Sequence, residues 1–231
     1  DRMRRDFTAN VSHELKTPLT SISGYAEIIR EGMVKSEDVG RFAGKIYEEA
    51  QRLITLVEDI LNLSHLDEGA PEQERRQGID LYALCERAVA SLAEAARQRG
   101  IAISLTGSRQ RVDGAEKLLA EIIFNLCDNA IKYNQENGHV AVSVTREGDR
   151  VVLTVQDTGI GIPPGETDRV FERFYRVDKS HSKEIGGTGL GLSIVKHAAA
   201  YHDAKIQLDS QLGRGTRVRV LFPLSQKEAQ P

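Results

Sequence analysis

The chain has 231 residues, of which 40% are hydrophobic and 28% charged, and a formal net charge of −3. That is enough apolar material for a sizeable core in one or two domains. The near-balanced charge argues against a nucleic-acid or membrane surface, and no run approaches the roughly 18 consecutive apolar residues needed to span a bilayer. The two cysteines, Cys85 and Cys127, lack CxxC spacing and sit in apolar helical patterns, which points to a reduced, cytosolic setting and gives no zinc site. The chain begins at Asp1 with no initiator methionine and no signal-like segment. It is therefore expected to be a piece of something longer, whose missing part could hold a membrane anchor.

From Met3 to Ile29 the apolar positions Met3, Phe7, Val11, Leu15, Ile22, Ala26 and Ile29 recur every three or four residues. Val39, Phe42, Ile46, Ala50, Leu53, Val57 and Ile60 do the same over Val39 to Leu66. Both read as long amphipathic helices. Between them Gly32 is a stop, and Ser36 an N-cap with Glu37 and Asp38 in the first turn, where the helix dipole favours acids. An antiparallel hairpin leaves its apolar stripe half covered, so a second copy is expected to complete a four-helix bundle as a homodimer. Residues 1–68 form this first domain. The polar stretch EGAPEQERRQG breaks the period, and residues 69–78 read as a linker.

The second domain is expected over residues 79–225, with 226–231 as a tail. Asp80 caps a helix carrying Leu81, Leu84, Ala88, Leu92 and Ala95, and Gly100 closes it before the short strand IAISL. A second helix runs from about Ala115 to Asn134. HVAVSVTR and RVVLTVQD alternate at period two around EGD, and AKIQLDS and TRVRVLF flank LGRG, both hairpin signals. Runs of helix and antiparallel strand predict an α+β two-layer sandwich with helices on one face of a mixed sheet.

On the first helix His13 lies two residues from Val11, about 200° around the axis, and so faces solvent. A neutral imidazole is a nucleophile, and Glu14 beside it could take the ring proton. Thr17 stands one turn on. Pro18 removes an amide inside the helix and should bend it there. A solvated surface histidine is the alternative. Further along, Asn125 and Asn129 stand one turn apart near Asp128 and Lys132. Paired amide oxygens suit Mg²⁺, which bridges phosphates, although asparagines also suit a plain polar face. DTGIGIP turns at Gly159 and Gly161 and leaves Asp157 at a strand end, where a carboxylate can accept from the exocyclic amine of adenine. GGTGLGL leads into a helix, an arrangement that receives phosphate on backbone amides, and no GxxxxGK[ST] is present.

The histidine segment, the double-asparagine helix, DxGxG, a phenylalanine-bearing lid and GxGxG occur together in one order. In this the chain resembles, over nearly its whole length, the sensor histidine kinases of two-component systems. FERFYRVDKSHSKEIGGTGLGL is most similar to the phosphate-sensing and cell-wall-sensing membrane kinases. The resemblance implies a multidomain protein: an all-α dimerisation and phosphotransfer hairpin, then an ATP-binding domain of the gyrase and Hsp90 fold. It implies His13 as the phospho-acceptor, Glu14 as the acid that takes its proton and Thr17 as the residue that orients water in dephosphorylation. Asn129 is implied as the principal Mg²⁺ ligand with Asn125, Lys132 as a phosphate contact, Tyr133 as the ring against adenine and Asp157 as the adenine reader.

Gly159, Gly161 and Thr216 are implied to support that base site, and Gly187, Thr188, Gly189, Leu190 and Gly191 to receive phosphate. Residues 163–187 would be the lid, with Phe171 and Phe174 packing it and Arg173, Arg176, Lys179 and Lys183 near the phosphates, where a solvated basic loop is the alternative. Ala115 stands where relatives often carry an acid, a departure that touches a local cap. Asn125 stands where ATP-hydrolysing relatives carry a glutamate, and an amide cannot deprotonate water. The expected function is ATP-dependent autophosphorylation of His13, then transfer to an aspartate of a response regulator, whose dephosphorylation the chain would also promote. The chain would be the cytoplasmic portion of a kinase anchored in the cell membrane. A mainly phosphatase role, or a nucleotide-binding scaffold, are the other readings.

Overall fold

A computed structural model describes residues 2–67, 75–177 and 187–225, with side chains from Phe7 onward. It divides into two compact units, residues 1–62 and 63–231. The first is a helical hairpin. Helix α1 (Arg2–Arg30) is one uninterrupted helix with a buried Pro18 inside it. It ends where the Gly32 and Met33 amides bond back to the carbonyls of Ile29 and Ile28, a terminus that uses up orphan carbonyls. Helix α2 (Val39–Asp67) follows. Tyr25 meets Phe42 edge to face at 5.8 Å. Ser36 is not the cap the sequence suggests: Ser36–Asp38 form a separate 3-10 turn with no side-chain cap, so both acids precede α2 rather than sit in it.

The second unit is a sandwich. Strands β1 (Arg75–Asp80) and β3 (Arg111–Ala115) pair antiparallel as a two-stranded ribbon. Strands β2 (Ala102–Gly107), β4 (His139–Glu147), β5 (Arg150–Asp157), β6 (Lys205–Gln211) and β7 (Gly215–Pro223) form a sheet of order β2-β4-β5-β7-β6. Only the β2–β4 pair is parallel. The ribbon corrects the expected linker, since residues 75–78 are strand; the linker's remaining residues and the tail lie outside the described residues.

Helices α3 (Leu81–Gln98), α4 (Glu116–Lys132) and α5 (Gly191–Tyr201) share one core with the sheet. In the sheet, Val142, Val155 and Val218 stand in register, as do Val144, Leu153 and Val220. Period-two alternation brings these buried rows to one face. Against them α4 places Leu119, Ile122, Ile123 and Leu126, which are almost wholly buried. Asp80 does cap α3, its carboxylate accepting from the Ala83 amide at 3.1 Å.

The start of α4, where Ala115 stands in place of an acid, is tied by a residue distant in sequence. Ala115 is the N-cap of α4 and offers no side-chain bond. Its amide, which a capping-box glutamate would ordinarily receive, donates to Nε2 of His202 at 3.1 Å. Nδ1 of His202 is 2.6 Å from the Ala198 carbonyl. An imidazole that accepts at Nε2 and donates at Nδ1 is neutral. Burial, chiefly, holds its pKa below the usual histidine value, and the nearby Arg75 charge acts the same way. A depressed folded pKa means the unfolded chain binds the extra proton first, so this stability is present above the unfolded value and lost as pH falls through the folded one. The stability gap between wild type and His202→Gln should therefore shrink from pH 7.5 to pH 5 in denaturant titrations. A constant gap would contradict a neutral His202.

The cysteines are buried on α3 and α4. Desolvation raises both thiols, Cys127 to about 12. At pH 8 such a thiol is a thiolate only about one part in 10⁴ of the time. Neither should react with an aromatic disulfide reagent in the folded chain, and both should react once it is unfolded; prompt native labelling would refute the assignment.

Candidate functional site

Each unit presents a cluster of the residues singled out from sequence. On α1, His13 has 77% of its side chain exposed, and its Nδ1 lies 3.7 Å from Oε1 of the half-buried Glu14. The carboxylate thus stands beside one ring nitrogen and leaves Nε2 open. Thr17 follows one turn later and returns its hydroxyl to the His13 carbonyl at 3.2 Å. Pro18 supplies no amide to the Glu14 carbonyl, so this turn keeps fewer backbone bonds than its neighbours. The helix runs on through it.

In the second unit the centre is Asp157, at the end of β5. Its Oδ1 accepts two backbone amides, from Gly159 at 2.8 Å and from Thr216 at 3.1 Å. Burial nevertheless dominates and raises its pKa above the usual aspartate value, the two amides acting in the opposite direction. The turn after β5 is stitched on both sides. Ile160 donates to the Tyr133 carbonyl, and Gly213 donates to the Ile160 carbonyl at 2.7 Å. Two glycines make this approach possible: a Cβ at Gly159 would overlap the Tyr133 carbonyl, and one at Gly215 would overlap that of Asp157. Gly161 stands beside the Gln211 carbonyl in the same turn.

Helix α4 supplies the asparagines. Asn125 donates its Nδ2 to the Glu121 carbonyl at 2.9 Å, which orients the amide. Its Oδ1 then lies 2.8 Å from where a Cβ of Gly191 would sit, and Asn129 borders the same glycine. The first residue of α5 therefore rests on both side chains. Leu190 is fully buried, and its amide donates to the Thr188 hydroxyl at 3.3 Å. Tyr133 caps α4, and its hydroxyl lies 3.1 Å from where a Cβ of Gly187 would be. The structure thus brings Asn125 and Asn129 of α4 against Gly191, and Tyr133 against Gly187. Tyr133, Asp157, Gly159 and Thr216 meet at the adjoining turn.

Two expectations change here. Lys132 forms a 2.6 Å ion pair with Asp128, one turn back on α4. Arg173 lies 3.2 Å from His197 on α5. Phe171 and Phe174 are both half-buried, while Lys179 and Lys183 lie outside the described residues. One participant went unnoticed in sequence: Ser210, which bonds the Thr216 hydroxyl at 2.8 Å and receives the Ile162 amide at 2.8 Å. A serine alternating along a strand carries no signal for such a role.

Among the described residues, no cluster of three His, Cys, Asp or Glu side chains could hold a metal ion. The amide oxygens of Asn125, held by its bond to Glu121, and of Asn129 are hard donors of the kind magnesium accepts, yet too few to bind it alone. They fit an ion that arrives already carrying phosphate. No described helix is long and apolar enough to cross a membrane.

The exposed histidine thus stands on a helical hairpin, and the asparagine helix and glycine turns on a unit built around a five-stranded sheet. Residues 3–69 match the His Kinase A (phospho-acceptor) domain model, and residues 114–226 match the histidine kinase-, DNA gyrase B-, and HSP90-like ATPase model. The chain is 41% identical over 221 residues to the sensor-like histidine kinase SenX3 of Mycolicibacterium smegmatis, covering 95% of this chain and 57% of that protein. It is 36% identical to the sensor histidine kinase WalK of Bacillus subtilis, covering 99% of this chain and 38% of that protein.

Among solved structures, the histidine kinase AdeS of Acinetobacter baumannii shares the fold at a TM-score of 0.75 and 23% identity, over 92% of this chain and 98% of that one. The histidine kinase ThkA, solved in complex with the response regulator protein TrrA, shares it at a TM-score of 0.75 and 23% identity, over 96% of this chain and 62% of that one. The chain belongs to the sensor histidine kinases of two-component systems. It spans about half the length of the SenX3 relative.

Proposed function

We propose that the chain is an ATP-dependent protein-histidine kinase that phosphorylates its own His13. The observation that carries this reading is His13 itself: exposed, with a carboxylate beside Nδ1 and Nε2 open. In the step, Nε2 attacks the γ-phosphorus, an N–P bond forms and the bond to the bridging oxygen breaks. ADP leaves with the electron pair, and Glu14 receives the Nδ1 proton. Little covalent chemistry falls to the protein, so positioning and charge neutralisation supply the rate.

In the nucleotide unit Asp157 would accept the adenine amine, and Thr216 and Tyr133 would flank the base. The amides of the turn from Gly187 to Gly191, which leads into α5, would face the phosphates, where a helix N-terminus favours an anion. Magnesium bound by Asn129 and Asn125 would neutralise phosphate charge there. Lys132 would reach a phosphate only by leaving Asp128. Asn125, an amide, offers no base to activate water, so ATP hydrolysis should be slow.

The phosphoryl group would pass to an aspartate of a response regulator docked on the hairpin, the kind of partner in the ThkA complex. Tyr47, Ile54, Val57 and Leu61 are exposed on α2 at helical spacing, a stripe that a second copy would cover in a four-helix bundle. From its likeness to the sensor kinases SenX3 and WalK, the chain is read as the cytoplasmic portion of a membrane-anchored sensor. The domains are read as residues 1–68 and 75–225, the second taking in β1.

Incubation with γ-labelled ATP and Mg²⁺ tests the proposal: acid-labile label on the protein supports it, and nucleotide binding without label sinks it in favour of a scaffold. Thr17, one turn from His13, supports a second activity toward the phosphorylated regulator. Thr17→Ala should keep autophosphorylation within about twofold and lower regulator dephosphorylation at least tenfold, as loss of a water-orienting hydroxyl would. Equal losses in both would remove that role.

A further inference from the structure

His197 takes no part in any reading above, yet it is tied to the nucleotide unit by a specific contact. It is half-buried on α5, and its Nε2 lies 3.2 Å from Nη2 of Arg173. A guanidinium can only donate, so Nε2 holds the lone pair and the ring proton sits on Nδ1. The next residue, Phe174, has φ 62, a left-handed conformation uncommon for a bulky side chain and kept only where its surroundings impose it.

The surroundings do so from both sides. Before Phe174, Arg173 is held by His197. After it, the Tyr175 hydroxyl donates to the Glu166 carboxylate, and the Arg169 guanidinium lies 4.2 Å from the Tyr175 ring centre. Pinned between them, Phe174 donates its amide to the Gly189 carbonyl at 2.9 Å. Gly189 has φ +75, and a Cβ there would come within 3.0 Å of the Phe174 backbone. Two residues on, Gly191 rests on Asn125. A continuous series of contacts therefore links His197, through Arg173, Phe174 and the glycine turn, to the asparagine helix.

We propose that His197 is a positioning residue of the nucleotide site: by accepting Arg173 it fixes Phe174 in its strained conformation and so sets the Gly187–Gly191 turn at the height nucleotide phosphates require. This rests on the nucleotide-binding reading above. Arg173 then acts as a tie between segments rather than as a surface cation.

The test uses the full chain with His197→Ala, His197→Gln, His197→Lys and Arg173→Ala. Amide exchange at Phe174 without nucleotide, affinity for trinitrophenyl-ATP, and label transfer at saturating ATP are measured. In His197→Ala, Phe174 should exchange about tenfold faster, as a locally released amide does. Affinity should fall about five- to tenfold with the saturating rate within about twofold, the signature of lost binding rather than lost chemistry. His197→Gln, whose amide oxygen can accept from Arg173, should recover both, and His197→Lys, which repels it, should not. Arg173→Ala should match His197→Ala, and the double variant should be no worse.

Unchanged exchange and affinity in His197→Ala, or no recovery by His197→Gln, would overturn the proposal. So would additive effects in the double variant. Should the histidine variants fail to fold, Arg173→Ala decides by the same two readouts. A wild type that binds the analogue yet never labels His13 defeats the kinase reading alone, since the exchange and affinity comparisons still decide the role of His197. A wild type that binds no nucleotide overturns both.

Discussion

His13→Gln is expected to carry no acid-labile phosphoryl label while binding nucleotide and melting as the parent does. The side chain is 77% exposed, and neither of its ring nitrogens makes a hydrogen bond among the described contacts. Its replacement should therefore change stability by no more than about 0.5 kcal/mol, the usual range for a surface site. Glutamine matches its reach and polarity but has no ring nitrogen lone pair to attack phosphorus. A phosphorus–nitrogen bond hydrolyses in acid, whereas esters on Ser12 or Thr17 nearby would survive it. Acid-stable label, or label that persists in the variant, would place the acceptor elsewhere.

Asp157→Asn should weaken nucleotide binding about 100-fold without loosening the fold. The carboxylate accepts the Gly159 and Thr216 amides through Oδ1 alone, which leaves Oδ2 to accept from a ligand. Asparagine can keep the first role by turning its oxygen inward, but it then presents an NH₂ to the adenine amine, donor against donor. A charge-assisted bond in a half-buried site is worth about 1.5–3 kcal/mol, and the repulsion adds to its loss. Stability should move the other way. Burial raises the folded-state pKa of Asp157, so its charge is a cost to the fold that appears as pH rises through that pKa. At pH 7.5 the variant should unfold at an equal or higher temperature than the parent. A variant that melts markedly lower would make Asp157 a structural residue, and one that binds as the parent does would remove it from the base site.

The periodic elements were legible because their physics is local. The three- and four-residue spacing of α1 and α2 locates both helices to within one residue, and the Asp80 cap and the Gly148 hairpin turn fall where turn chemistry puts them. The β1–β3 ribbon was not, because RRQGID carries a single apolar side chain and pairs with a partner more than thirty residues away. Site residues were legible in kind more than in arrangement. Asn125 and Asn129 border Gly191, and Asp157 bonds Gly159 and Thr216, while a binding role for them rests on the proposal. The pairings Lys132–Asp128 and Arg173–His197 depend on rotamers and on which helix stands opposite, and spacing alone predicts neither. His202 was invisible for the same reason: YHDA reads as an ordinary helix end, and only the folded chain brings it to Ala115.

That last contact has a consequence for how the chain is made. The residue that completes the start of α4 lies 87 positions further along, and β7, which stands between β5 and β6, follows the other four strands of its sheet in the chain. During translation the asparagine helix emerges long before its capping histidine, and the central sheet stays open on one side until β7 has left the ribosome. Such distant pairings close late and slowly. A nascent chain released before His202 would hold every asparagine of the nucleotide site on a helix with an unanchored beginning. Truncated products should therefore be cleared by proteases rather than accumulate as partial kinases competing for ATP.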